Sequence, residues 1–178
     1  VIVVLNGYPG VGKLTIGREL AQLLSGRLLD IHTVYNVAFA LTEFKSPEFR
    51  QTVEKIEAIA HDLILKLPVE VPVVLTTVLA GDSDWGREEW LRIARLGESR
   101  GPFCVVHVHC DLDENMRRIQ SPGRGAKLKP RDPDMARRNH MRGDILAGID
   151  EPNLLTLDVT QMSAPKAAQA IADWARAI

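Results

Sequence analysis

Residues 1–26, VIVVLNGYPGVGKLTIGRELAQLLSG, pass from branched apolar side chains through Gly7, Gly10 and Gly12 into Lys13, Thr15 and a helix-period segment. The spacing Gly7-Tyr8-Pro9-Gly10-Val11-Gly12-Lys13 is that of a glycine-rich phosphate loop, set between a strand and a helix as such a loop requires. Successive backbone N–H groups cradle polyphosphate oxygens only where no Cβ intervenes. The helix that follows turns its positive end toward the same anion, and Lys13 would bridge the outer phosphates as a bond breaks. Leu14 stands where a hydroxyl usually follows the lysine, and Thr15 comes one place later.

Outward from this loop, 178 residues with 46% apolar content are enough for one domain with a substantial core. The formal charge of −1, from 22 basic and 23 acidic residues, gives the whole chain no bias toward nucleic acid or acidic lipid. The local balance differs: nine Lys/Arg and only Asp132 and Asp134 fall in residues 117–142. Cys104 and Cys110 match no metal spacing and read as reduced core thiols of a cytoplasmic protein. No run approaches the ~18 apolar residues of a membrane span, and no signal peptide is visible.

Apolar runs at residues 1–5, 27–31, 71–79, 103–110 and 154–159 predict strands. Helix-period segments are predicted at 14–24, 46–67, 85–97, 113–120, 134–146 and 164–175. Ser46 with Pro47 signals one helix start and Asp84 another. Strands alternating with helices predict an α/β domain spanning residues 1–178, with a parallel sheet of about five strands and helices on both faces. The uninterrupted apolar character of VPVVLTTVL (71–79) suits a strand covered on both sides.

GYPGVGKLT resembles the loop of adenylate kinase and its relatives, where the threonine is displaced in the same way. The resemblance extends to the P-loop small-molecule and nucleoside monophosphate kinases, shikimate kinase among them. It implies a three-layer P-loop NTPase fold with a short lid at about residues 121–136 and a helical acceptor-binding segment at about 32–67. It implies ATP and Mg2+, with Gly7, Pro9, Gly10, Val11, Gly12, Lys13, Leu14 and Thr15 around the phosphates. Thr15 then serves the metal, directly or through a water, and Leu14 packs the helix. Arg118, followed by Ile119, matches the arginine that stacks on adenine, and Arg124 matches a lid arginine that contacts phosphate. Arg131, Arg137 and Arg138 would clamp transferred charge, for which planar guanidiniums are suited. LDVTQ, containing Thr160, is similar to the turn that follows the last strand.

Shikimate kinase has two aspartates one residue apart after its second strand, and Asp30 and His32 stand at that spacing here. If the strand continues through them, alternation points both toward the loop. Asp30 would hold the metal or its waters. His32 would accept the acceptor's proton, with Asp30 as the alternative base. Tyr35, Asn36 and Arg50 are possible acceptor contacts. Thr76 and Thr77 stand where relatives carry a carboxylate after strand three. The sequence therefore supports an ATP-dependent phosphotransferase acting on a small-molecule or nucleotide acceptor. Its rivals are an ATP-binding protein without transfer activity, favoured by the two threonines, and a nucleic-acid module using the basic run. That run contains no aromatic residue on which a base could stack, which disfavours the last. His61, His107, His109, Trp85, Trp90 and Trp174 read as packing or structural residues.

Overall fold

The computed structural model describes residues 1–121, 132–143 and 145–178. Five strands form the sheet: β1 (Ile2–Asn6), β2 (Arg27–Asp30), β3 (Val73–Thr77), β4 (Phe103–His109) and β5 (Leu154–Asp158). All neighbours are parallel, in the order β2-β3-β1-β4-β5. The helices among the described residues are α1 (Lys13–Leu23), α2 (Ile31–Leu41), α3 (Pro47–Leu65), α4 (Asp84–Arg100), α5 (Leu112–Ile119), α6 (Pro133–Arg142) and α7 (Ala164–Arg176).

Each residue of β1 and β3 is buried, so no polar face interrupts these strands. Val3, Leu5, Val74, Cys104, Val106 and Val108 face Ile16 and Leu20 of α1 and Ile171 of α7. The alternate residues Ile2, Val4, Val73, Leu75 and Val105 face Ile64 of α3 and Ile93 and Leu96 of α4. A separate cluster of Val34, Ala38, Phe49 and Val53 joins α2 to α3. β1 lies at the centre, where chain connections run off to both sides. The crevice at such a point, beyond the carboxyl ends of the strands, is where open α/β sheets bind ligands.

Local chemistry sets the boundaries. Ser46 caps α3 by accepting from Phe49 N, with Pro47 opening the helix. The cap of α4 is Ser83, accepting from Gly86 N at 3.0 Å, rather than Asp84, which is the first helical residue. Arg100 holds the far end of α4 by donating to the carbonyls of Leu67, Pro68 and Val71. The helix predicted at 134–146 ends at Arg142, where Gly143 takes a left-handed conformation (φ 60°).

Cys104 and Cys110 are buried free thiols in one core cluster. Burial raises both, Cys110 to about 11, so neither is a ready nucleophile. No helix among the described residues is long and apolar enough to cross a membrane.

Candidate active site

The glycine loop leaves β1 at Asn6, a fully buried residue whose importance the sequence did not reveal. Its Oδ1 accepts from Gly7 N and Leu79 N, each at 2.9 Å. Its Nδ2 donates to Leu79 O at 2.9 Å and Ala147 O at 3.0 Å. One side chain thus fixes the root of the loop against the chain after β3 and against the segment before β5. His107 Nε2 lies 2.9 Å from the same Ala147 carbonyl, which gives that histidine its structural place.

Gly10 (φ 96°) and Gly12 (φ 105°) occupy left-handed backbone. A Cβ on Gly10 would lie 2.5 Å from Ile119 Cγ1 and 2.7 Å from Asn115 Nδ2, so the loop packs where only hydrogen fits. Gly12 caps α1 without any side-chain hydrogen bond, and no acidic residue stands in the first turn. The positive end of that helix therefore has no built-in carboxylate. Lys13 is buried, and its Nζ donates to Gly7 O at 2.7 Å and Tyr8 O at 2.8 Å, curling the loop around its ammonium group. Thr15 is exposed in the first turn, while Pro9 is partly buried and Val11 buried. Leu14, next to Thr15, is partly buried.

Helix α5 presses on this loop. Buried Asn115 donates to Pro9 O at 3.0 Å. Arg118 donates to Val11 O and Val159 O, both at 2.8 Å, and to Glu114 Oε1 at 2.6 Å. Its guanidinium edge thus ties α5 to the loop and to the turn after β5. Arg117 beside it, with Arg118, holds the Glu114 carboxyl down to about 2. In the turn after β5, Thr160 donates to Asp158 at 2.6 Å and accepts from Asp111 N at 2.9 Å. Thr160 is therefore a brace between that turn and the start of α5.

Of the basic run, Arg117 and Arg118 pair with Glu114, Arg137 with Asp134 and Arg138 with Asp132. These four of its nine cations are locally paired, two of them with one glutamate just outside the window. Arg124 and Arg131 lie outside the described residues, as does most of the expected lid (about 121–136), whose last residues, 133–136, open α6.

On the acceptor side the structure corrects one expectation. β2 ends at Asp30 and α2 begins at once, so His32 lies in the first helical turn and strand alternation does not align it with Asp30. The cause is Thr76 on β3: its hydroxyl donates to Asp30 Oδ1 and accepts from Ile31 N at 3.3 Å. The threonine found where a carboxylate was expected thus anchors the carboxylate of the neighbouring strand.

His32 instead lines a cavity of about 520 Å³ with Tyr35, Phe39, Phe49, Arg50 and Trp85. Leu79, held by Asn6, forms part of the same wall. The cavity and the loop are therefore joined through one amide side chain. Trp85 packs against the α2–α3 cluster, as read, and also forms part of this wall. Asn36 is exposed and is not among the lining residues.

Beneath the cavity, Trp85 Nε1 donates to the Tyr35 hydroxyl at 2.9 Å, and that hydroxyl donates to Glu89. Burial raises Glu89 to about 7 and, with the Glu89 charge, raises the Tyr35 phenol. Deeper still, Arg92 pairs with buried Glu57, whose other oxygen lies 3.9 Å from His61. Burial lowers His61 to about 4. Glu57, His61 and Glu89, with Thr76 and Thr77, surround a small void of about 30 Å³, a size that admits one water.

Among the described residues no group of three or more metal-ligating side chains exists. Magnesium in phosphoryl-transfer sites usually takes one or two carboxylates, with phosphate oxygens and waters completing its shell. An anchored Asp30 and an exposed Thr15 hydroxyl fit that donor set.

Comparison with known proteins gives this geometry a lineage. The family model described as "AAA domain" matches residues 3–140. A curated shikimate kinase from Brucella canis is 30% identical over 132 residues, covering 74% of this chain; the chain spans 62% of that relative's length. The structure of a candidate kinase from Chloroflexus aurantiacus superposes with a TM-score of 0.70 at 20% identity over 97% of each chain. A gluconokinase from Sinorhizobium meliloti gives 0.60 at 15% identity, over 98% of this chain and 93% of its own. With the family model matching most of its length, the chain belongs to the AAA-domain family, and its five-stranded parallel sheet around a glycine-rich loop has the fold of the kinases on which it superposes.

Proposed function

We propose that the protein transfers the γ-phosphoryl group of ATP to a small acceptor held in the cavity between α2, α3 and the chain after β3. The observation that carries this reading is the loop itself. Gly10 and Gly12 are in left-handed backbone, α1 has no side-chain cap, and Lys13 is buried at their centre.

In the reaction, a bond forms between the acceptor oxygen and the γ-phosphorus as the bond from that phosphorus to the β,γ-bridging oxygen breaks. The electron pair leaves on ADP. Lys13 moves from its loop carbonyls to the phosphate oxygens and stabilises the charge that develops on them. Thr15 and Asp30 would hold magnesium, which would supply positive charge to neutralise the β- and γ-phosphates. The acceptor's proton passes to Asp30 or to His32, which lines the cavity. Arg118 positions the loop through Val11 and offers its flat face to the base. Arg124 and Arg131 would complete the charge clamp on closure, which would also exclude water.

The relatives' names point to shikimate and gluconate as the first acceptors to try. The experiment is a coupled assay of ADP release with MgATP and an acceptor panel. Lys13→Ala is expected to lower acceptor-dependent turnover by roughly 10²–10³-fold, the scale seen when one charge-stabilising donor is removed. Full activity in that variant would refute the assignment. Isothermal titration that registers no magnesium-dependent binding of ATP or GTP would refute the enzyme.

A further inference from the structure

We infer that the acceptor cavity is built for a planar aromatic molecule carrying an anionic group. The protein has only nine Phe, Trp and Tyr residues (4, 3 and 2). Five of them, Tyr35, Phe39, Phe44, Phe49 and Trp85, line this one cavity. Their centroids lie 5.2–6.4 Å apart in tilted and edge contacts, the spacing of mutually packed rings. Phe39 and Phe44 nonetheless remain 46% and 62% exposed. Apolar rings left this open around a cavity gain from being covered by a flat apolar surface.

Charge selects among flat ligands. The lining contains Lys45 and Arg50 and no carboxylate. The Arg50 guanidinium lies 4.8 Å from the Trp85 ring centroid, and the Lys45 ammonium lies 5.4 Å from that of Phe44. An aromatic cage open to a cationic ligand would be free of resident cations, whereas these two already lie against its rings. Lys45 also sits in left-handed backbone (φ 66°), a strained conformation for a residue with a Cβ, held at the turn between α2 and α3. Glu88 reaches Arg50 at 3.6 Å, with both side chains about half exposed, so an incoming anion competes with a weak, screened pair.

Hydrogen-bonding capacity argues in the same direction. The Tyr35 hydroxyl is already engaged by Glu89 and Trp85. That leaves His32, Ser83 and the two cations as polar lining. A polyhydroxy acid would place several hydroxyls against ring faces without partners, and unmatched polar groups oppose binding. An aryl acid places its ring on the walls, its anion toward Arg50 and Lys45, and one hydroxyl toward His32.

This inference rests on the kinase reading for the transfer step, in which the bonds made and broken are those given above; its binding step does not. Calorimetry on the full chain, without nucleotide and then with MgATP, separates the two. The probes are 4-(hydroxymethyl)benzoate, benzyl alcohol, AMP, shikimate and gluconate. The aryl carboxylate or AMP is expected to bind without nucleotide, at least about tenfold tighter than benzyl alcohol, shikimate or gluconate. Whichever of the two binds more tightly identifies an aryl acid or a nucleotide as the source of that chemistry. Arg50→Gln is expected to abolish the preference for the carboxylate over benzyl alcohol. Phe44→Ala, at an exposed position that leaves the fold intact, is expected to weaken both. Shikimate or gluconate binding as tightly as the aromatic anions would overturn the inference, as would MgATP binding with no aromatic anion bound. Aromatic anions binding to a chain that takes no MgATP would sustain it and overturn the kinase reading instead.

Discussion

Asn6 and Gly10 show how much of the loop's shape is set by single atoms. Replacing Asn6 with Leu removes four hydrogen bonds and leaves Gly7 N, Leu79 N and two carbonyls buried. A loss of about 3 kcal/mol in unfolding free energy is expected from unsatisfied buried groups, to be measured by urea denaturation. Gly10→Ala forces a Cβ against Ile119 and Asn115 in left-handed backbone. MgATP binding is expected to fall at least tenfold in that variant while its far-ultraviolet circular dichroism stays native, because the strain falls on the loop and its contact with α5 and leaves the other helices and the sheet untouched. The glycines were legible because their chemistry is local: spacing alone announces a phosphate cradle. Asn6 was not, because its partners lie 73 and 141 residues away. Nothing near position 6 hints at a junction.

At the scale of elements, α2, α3 and α4 meet over charged groups whose titrations oppose one another. Glu89 on α4 is raised from 4.5 to about 7, chiefly by burial. Tyr35 of α2, Trp85 and Arg92 of α4 and Glu57 of α3 act on it. Between those two pH values the folded protein holds a proton that the unfolded chain has lost, so Glu89's contribution to stability falls as pH rises. Glu57, also raised, acts with the same sign. His61 is lowered from 6.5 to about 4, so its contribution grows as pH rises between those values. Glu89 and His61 oppose each other from about pH 4.5 to 6.5, and just above that interval His61 no longer offsets Glu89. Melting temperature is expected to decline through pH 7, and Glu89→Gln to remove that decline. A pH series of thermal melts checks this, and an unchanged slope in the variant would dismiss Glu89. In the sequence, LLDIHTVYN read as a strand running on to residue 31, because its branched and apolar residues suit either state. The deciding contact, Thr76 to Ile31 N, joins β3 to the first residue of α2, 45 positions away, and cannot be read locally. The helix at 46–67 was legible because Ser46 and Pro47 mark its start within four residues.

For the whole molecule, the apolar runs of β1, β3 and β4 betrayed a sheet covered on both faces, and alternation with helices betrayed its parallel order. The aromatic cavity stayed hidden, because its rings come from positions 35 to 85 and converge only when α2 and α3 fold over the end of β3. Saturating nucleotide acts on the molecule as a unit. At a hundredfold excess over Kd, binding adds about 2.7 kcal/mol to stability. For a chain of this size that corresponds to a rise of roughly 5–10 °C in Tm. Scanning fluorimetry with MgATP is expected to show that rise, and Lys13→Ala to lose it. The knot of bonds at Asn6 bears on how such a protein can be re-engineered. A keystone amide shared by three separate stretches means that the loop's contour cannot drift by itself. Reshaping it for a bulkier triphosphate would require coordinated changes at positions 6, 79 and 147, and libraries that vary the glycine stretch alone would mostly return misfolded mouths.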